Sequence, residues 1–144
     1  MTEPQPLKSL PTWSLSRAAA SSHRILHRRL GEAGFTGYEY RVLAAVVAAA
    51  HLSQAEIGRA ASLDPRDVTH TVRRLEQRGL LTRTPSSANA RIVTVQMSPE
   101  GLHAWRRLHA VMLQIQREVF APLQATEIRT LIELLDRIGG ESRA

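Results

Sequence analysis

Between Leu52 and Gly101 the chain spells two short helices with explicit start signals, a tight turn between them, and then an extended, arginine-bearing hairpin. Ser53-Gln54-Ala55-Glu56 is a capping box: the serine hydroxyl and the Glu56 carboxylate each satisfy an N–H that a first helical turn leaves unpaired. Asp64-Pro65-Arg66-Asp67 opens the second helix, with Asp64 as N-cap and Pro65 at the first helical position, where its missing N–H costs nothing. Ala60 to Leu63 supplies the turn of a helix-turn-helix. Past Gly79 the pattern changes from helical to extended, with Leu80–Thr84 and Arg91–Met97 flanking a Pro-Ser-Ser-Ala-Asn-Ala loop. Two capped helices followed by a basic hairpin predict a winged helix-turn-helix, in a mainly α chain with a small β-hairpin wing (α+β).

The flanks are helical in period. Residues 1–11 hold three prolines and little apolar material and read as a flexible N-terminal arm; residues 12–144 read as one domain. From Trp13 to Leu30, Leu15, Ala18, Ala19, Ser22, Ile25, Leu26 and Leu30 share one stripe, with arginines opposite and Gly31 and Gly34 at the end. Phe35–Ala50 reads as a second helix, alanine-rich after Val42. Leu102, Trp105, Leu108, Met112, Ile115 and Val119 make a seam along a helix from Pro99 to Phe120, which Pro122 stops. Thr126 is positioned to cap a last helix, whose Ile128, Leu131, Ile132, Leu135 and Ile138 form one face before Gly139-Gly140. Two homes are open to these apolar faces: the chain's own core, or the first helix together with a second subunit.

Charge narrows the partner. The formal net charge is +6, carried by 18 arginines and Lys8. A GC-rich genome accounts for arginine over lysine but not for the excess of basic over acidic residues, which favours a polyanionic partner. Membrane surface is the competing polyanion, yet no helix joins one basic face to one strongly apolar face. The absence of cysteine removes disulfides, thiolate metal sites and thiol redox sensing. No stretch approaches about 18 apolar residues and no signal-peptide core is present, so a cytoplasmic, nucleoid-associated protein is expected. There is no nucleophile–base pair, glycine-rich phosphate loop or carboxylate cluster, so no enzyme activity and no cofactor are expected. His23 and His27 are one turn apart, a spacing that can bind zinc. No carboxylate stands at ligand spacing beside them, and the alternative is a pair of solvated or capping histidines.

On the helix from Pro65 to Gln77, Val68, Val72 and Leu75 must face inward. The opposite face carries Arg66, Thr69, His70, Arg73 and, to the side, Arg74. Arginine can fork onto guanine O6 and N7, and a threonine methyl can touch a thymine methyl, so this face suits the major groove of double-stranded DNA. The alternative for such a helix taken alone is a solvated basic face.

These segments together resemble the MarR family of bacterial transcription regulators. The resemblance is carried by Leu52-Ser53-Gln54-Ala55-Glu56-Ile57, Val68-Thr69 and Arg74-Leu75-Glu76-Gln77-Arg78-Gly79-Leu80-Leu81. Arg83, Arg91, the Val93/Val95/Met97 alternation and Ser98-Pro99-Glu100-Gly101 continue it, and Thr36-Gly37-Tyr38-Glu39-Tyr40-Arg41-Val42-Leu43 looks like the family's second helix. It spans about residues 13–139. It implies a winged helix over about 36–98, dimerisation helices over about 13–31 and 99–139, and a homodimer on a pseudo-palindromic operator, acting as a repressor. Arg91 matches the wing arginine that enters the minor groove, and Arg83 would face phosphate at the base of the wing. Asn89 stands where an aspartate commonly orients that wing arginine, Ala90 replaces another arginine, and Ser86 and Ser87 replace acidic residues. His70 replaces a common arginine, and Thr71 and Arg73 replace commoner residues, so the preferred sequence should differ from that of typical members. The family is commonly gated by small phenolic or carboxylic ligands between the winged helix and the dimerisation helices. Trp13, Arg17, Tyr38, Tyr40 and Trp105 are the residues available for that role, against the alternative that the aromatics are core and Arg17 is solvated. The rival functional class is a protein-interaction module that kept the fold and lost operator binding.

Overall fold

Both helices of the helix-turn-helix begin where their caps lie. In a computed structural model, which describes residues 6–140, α3 spans Gln54–Ala61 and α4 spans Pro65–Gln77. Ser53 Oγ accepts from the Glu56 N–H at 3.2 Å, and Glu56 Oε1 accepts from the Ser53 N–H at 3.1 Å. These bonds, the Ser53 N–H first among them, hold the Glu56 carboxyl below its ordinary range. Asp64 Oδ1 accepts from the Asp67 N–H at 2.9 Å, which lowers the Asp64 pKa in the same way. Between the helices Ser62 adopts the left-handed region at φ 53°, and the Leu63 N–H returns to the Gly58 carbonyl at 2.9 Å. The approach is close: a Cβ on Gly58 would lie 3.0 Å from the Leu63 carbonyl oxygen.

The second helix is shorter than its composition suggests. α2 spans Gly37–Ala48, not Phe35–Ala50. Thr36 caps it, with Glu39 completing a capping box, which moves the start past Phe35. Val42, Leu43 and Val46 of α2 meet Ile57 of α3 and Val68, Val72 and Leu75 of α4 in a core of fully buried side chains. Beneath them lies a three-stranded antiparallel sheet, order β1-β3-β2, built from Leu52–Ser53, Leu81–Pro85 and Val93–Met97. The two-residue β1 was not foreseen. It pairs Leu52 with Val95 and Ser53 with Thr94, while β2 pairs Leu81 with Met97 and Arg83 with Val95. Val95 is buried, but Val93, near the wing tip, is exposed.

The long helices complete the core unevenly. α1 spans Pro11–Glu32 and begins before Trp13, and a short 3₁₀ turn at Leu7–Ser9 precedes it. Residues 1–5 of the expected arm lie outside the described residues. Leu30 is buried and Ile25 and Leu26 pack on the core, whereas Trp13 and Leu15 are exposed. α5, Pro99–Val119, buries Ala104, Leu108 and Ile115 in the same core, so the centre of its seam is used within the chain. α6 spans Ala125–Gly139 and is capped at Gln124, not Thr126; Glu127 Oε1 accepts from the Gln124 N–H at 2.9 Å, and Thr126 falls inside the first turn. α6 buries none of its residues, and Ile132, Leu134, Leu135 and Ile138 are exposed. Among the described residues no helix is long and apolar enough to cross a membrane.

Candidate nucleic-acid interface

The helical period of α4 divides its side chains between core and solvent. Val68, Thr71, Val72 and Leu75 are buried; Arg66, Thr69, His70, Arg73 and Arg74 are exposed. Thr71 is 4% exposed and points into the core, so the expectation that it shifts sequence preference is corrected: it has no route to a base edge. Among the described residues Arg66, Arg73, Arg74 and Arg91 make no ion pair, and their guanidinium groups are available to an anion.

The two arginines of the wing are held differently. Arg83 forks onto the last turn of α4, with Nε 2.8 Å from Glu76 Oε2 and Nη2 3.0 Å from Oε1. That pair raises the Arg83 pKa and engages Nε and Nη2, while the side chain stays 41% exposed. Asn89 does not brace the Arg91 guanidinium. Its Oδ1 accepts from the Arg91 backbone N–H at 3.1 Å, fixing the tip turn and leaving the arginine side chain exposed. The Ser86 N–H closes the loop onto the Ile92 carbonyl at 2.7 Å. Replacing Glu76→Gln should therefore release Arg83. Affinity for any duplex should rise several-fold and the salt dependence should steepen by about one counterion, at a stability cost under about 1 kcal/mol because the pair is half-exposed. Filter binding at several salt concentrations measures both; unchanged affinity and slope would show that Arg83 already reaches phosphate beside Glu76.

Two ties fasten α3 and α4 to α2, and sequence reasoning found neither. Arg41 of α2 donates from Nε to the Ala61 carbonyl at 2.8 Å and from Nη2 to the Ser62 carbonyl at 2.7 Å, satisfying acceptors at the end of α3. Arg78, just past α4, donates from Nη1 to Glu39 Oε2 at 2.9 Å and lies 4.2 Å over the Phe35 ring. Glu39 is 2% exposed, and its other oxygen, Oε1, accepts from the Thr36 N–H at 2.9 Å.

A cavity of about 320 Å³ opens where α1, α2 and α5 meet, lined by His23, Leu26, His27, Leu30, Gly37, Tyr38, Tyr40, Arg41, Met112 and Gln116. Of the residues proposed for a ligand, it gathers Tyr38 and Tyr40. Trp13 and Arg17 lie outside it, nearer the N-terminal end of α1, because a straight helix carries them about 9 Å or more along its axis from His23. Trp105 stands behind the wall, stacked on Tyr40 at 5.3 Å, and His109 stacks on Trp105, also at 5.3 Å. Burial raises the Tyr40 pKa, so its phenol stays neutral. His23 and His27, weighed as a zinc pair or as solvated residues, are exposed at the rim of this opening.

A winged helix with a free cationic face on its second helix and a basic wing is the architecture of a DNA-binding regulator. A family model described as MarR family matches residues 33–92. A regulatory protein ascribed to the hcr operon of Thauera aromatica is 30% identical over 105 residues, 73% of this chain and 63% of that protein, so the match spans less than two thirds of that relative. An HTH-type transcriptional repressor of Mycobacterium bovis is 28% identical over 112 residues, 78% of this chain and 81% of its own. The PcaV transcriptional regulator of Streptomyces coelicolor, solved with its natural ligand, superposes with a TM-score of 0.84 at 26% identity, covering 99% of this chain and 100% of that one. The chain belongs to the MarR family of winged-helix transcription regulators.

Proposed function

We propose that the protein is a homodimeric repressor that binds a pseudo-palindromic operator and is released by a small aromatic or phenolic acid. The observation that carries the reading is the exposed face of α4, where Arg66, Thr69, His70, Arg73 and Arg74 stand together without anionic partners, beside the exposed Arg91 of the wing. Arg66 and Arg73 are assigned to base edges and Arg74 to phosphate, with Arg91 in the minor groove. Dimerisation is supported by the apolar surface left on α6 and on the first half of α1, which a second copy would cover. The repressor relative supports the sign of regulation, and the ligand-bound PcaV supports gating. The cavity between α1, α2 and α5 has the volume of a small-molecule site, and its tyrosine and histidine lining suits an aromatic ring bearing polar substituents.

Footprinting on the DNA upstream of the chain's own gene tests this. Two half-sites about one helical turn, roughly 10 bp, apart should be protected on one face. Titration with salicylate-like acids should quench Trp105 through the Tyr40 stack and lower operator affinity, and operator should weaken acid binding by the same factor. Protection of a single half-site by a monomer overturns the dimer. No effect of any such acid on either equilibrium overturns the gating.

A further inference from the structure

The hydroxyl of Thr69 lies 2.9 Å from the Pro65 carbonyl oxygen, one turn earlier on α4, and 3.0 Å from Oε1 of Gln54, the first residue of α3. A threonine hydroxyl has one proton, and here two oxygens on the protein side share it. With Oε1 accepting from Thr69, the Gln54 amide turns its Nε2 hydrogens the other way. Gln54 is half-buried, and its side chain makes no other hydrogen bond among the described residues. The bond joins the N-terminal ends of the two helices on the side that carries Arg66 and Arg73.

We infer that Gln54 is a phosphate-contacting residue that acts as one unit with Thr69; this rests on the reading of the exposed face of α4 as the DNA side. In a helix-turn-helix the first helix crosses the sugar–phosphate backbone while the second enters the groove, so the N-terminus of α3 comes up to phosphate at the groove edge. A free glutamine there would lose rotamer freedom on docking; one already held by Thr69 has less to lose. Because its anchor is on the groove-reading helix, the phosphate contact also fixes where α4 lies along the groove. The same bond decides what Thr69 reads. Its hydroxyl is committed inward, so it meets a base through its methyl group, which selects the thymine methyl over a hydrogen-bonding edge.

The test uses the full chain, a duplex selected from a random library by the wild type, and a scrambled duplex of equal length. Gln54→Ala should weaken both by about tenfold, the size of one hydrogen bond to a charged acceptor. The slope of affinity against salt should stay unchanged, because a neutral amide releases no counterion. Thr69→Val keeps the methyl and loses the hydroxyl; it should show a loss in the same direction, and the double variant should lose no more than the larger single loss. Ethylation interference should reveal one phosphate per half-site that matters to the wild type and not to Gln54→Ala, a readout that a purely structural brace would not move. A loss confined to the selected duplex makes Gln54 a base reader and overturns the assignment. Wild-type affinity in Gln54→Ala, or additive losses in the double variant, overturns it as well. Failure of the wild type to select any duplex overturns the DNA reading beneath it.

Discussion

Gly101→Ala should destabilise the protein by about 3 kcal/mol or more, although alanine is the better helix former by about 1 kcal/mol. Gly101 is buried in the first turn of α5, and a Cβ there would lie 2.0 Å from the Leu80 carbonyl oxygen and 2.8 Å from Met97 Sδ. The methionine can swing aside, but the carbonyl belongs to the backbone that leads from α4 into the wing. That carbonyl accepts from the Ser98 N–H at 3.1 Å, while Ser98 Oγ donates to the Gly79 carbonyl at 2.6 Å and accepts from the Gly101 N–H at 2.9 Å. One methyl group thus presses on the joint between the winged helix and α5, and on the function proposed above operator affinity should fall together with stability. Urea denaturation measures the first effect. Gly31→Ala is the internal control: Gly31 lies inside α1 with nothing within 4 Å of its added Cβ, so propensity alone should stabilise by up to about 1 kcal/mol. Equal effects at the two positions would mean that the joint yields freely.

Glu39→Ala should cost about 2–4 kcal/mol. The substitution leaves the Thr36 N–H at the start of α2 without its acceptor and removes the partner of Arg78. The Arg78 side chain is 38% exposed and recovers part of its solvation, which keeps the cost below that of a fully buried pair. Glu39→Gln retains the acceptor for Thr36 and should cost less than the alanine variant. Because Arg78 directly follows α4, the alanine variant should also loosen the end of α4, with faster amide exchange at Arg78 and Gly79 than in wild type. Equal stability of Glu39→Ala and wild type would show that the pair is incidental.

How far the sequence could be read follows from how far apart the interacting groups are. The caps at Ser53 and Asp64 join residues three apart, so their geometry is set by the local backbone, and both helices begin where those caps predict. The inward face of α4 follows from a period of 3.6 residues, and the winged helix follows from the order of these local signals. The same period would also have shown Thr71 lying beside Val72 and Leu75 rather than with Thr69. At Thr126 the local signal misled, because the bond between Gln124 and Glu127 offered the helix an earlier start.

What tertiary structure decided is the set of contacts between residues far apart in the chain. Glu39 meets Arg78 across 39 positions and Arg41 meets Ala61 across 20, and a two-residue β1 exists only because Val95 lies beside Leu52. The cavity needs α1, α2 and α5 brought together at one crossing, which selects Tyr38, Tyr40, His23 and His27 and leaves Trp13 and Arg17 aside. Arg83 was read from its residue type as a phosphate contact; folding also sets the Glu76 carboxylate within hydrogen-bond reach, in a fork at 2.8 and 3.0 Å that residue type alone does not announce. Local hydrogen bonds and periodicity are properties of neighbouring residues and are written in their order; partnership between distant side chains depends on packing, which fixes distances that the order of residues does not state.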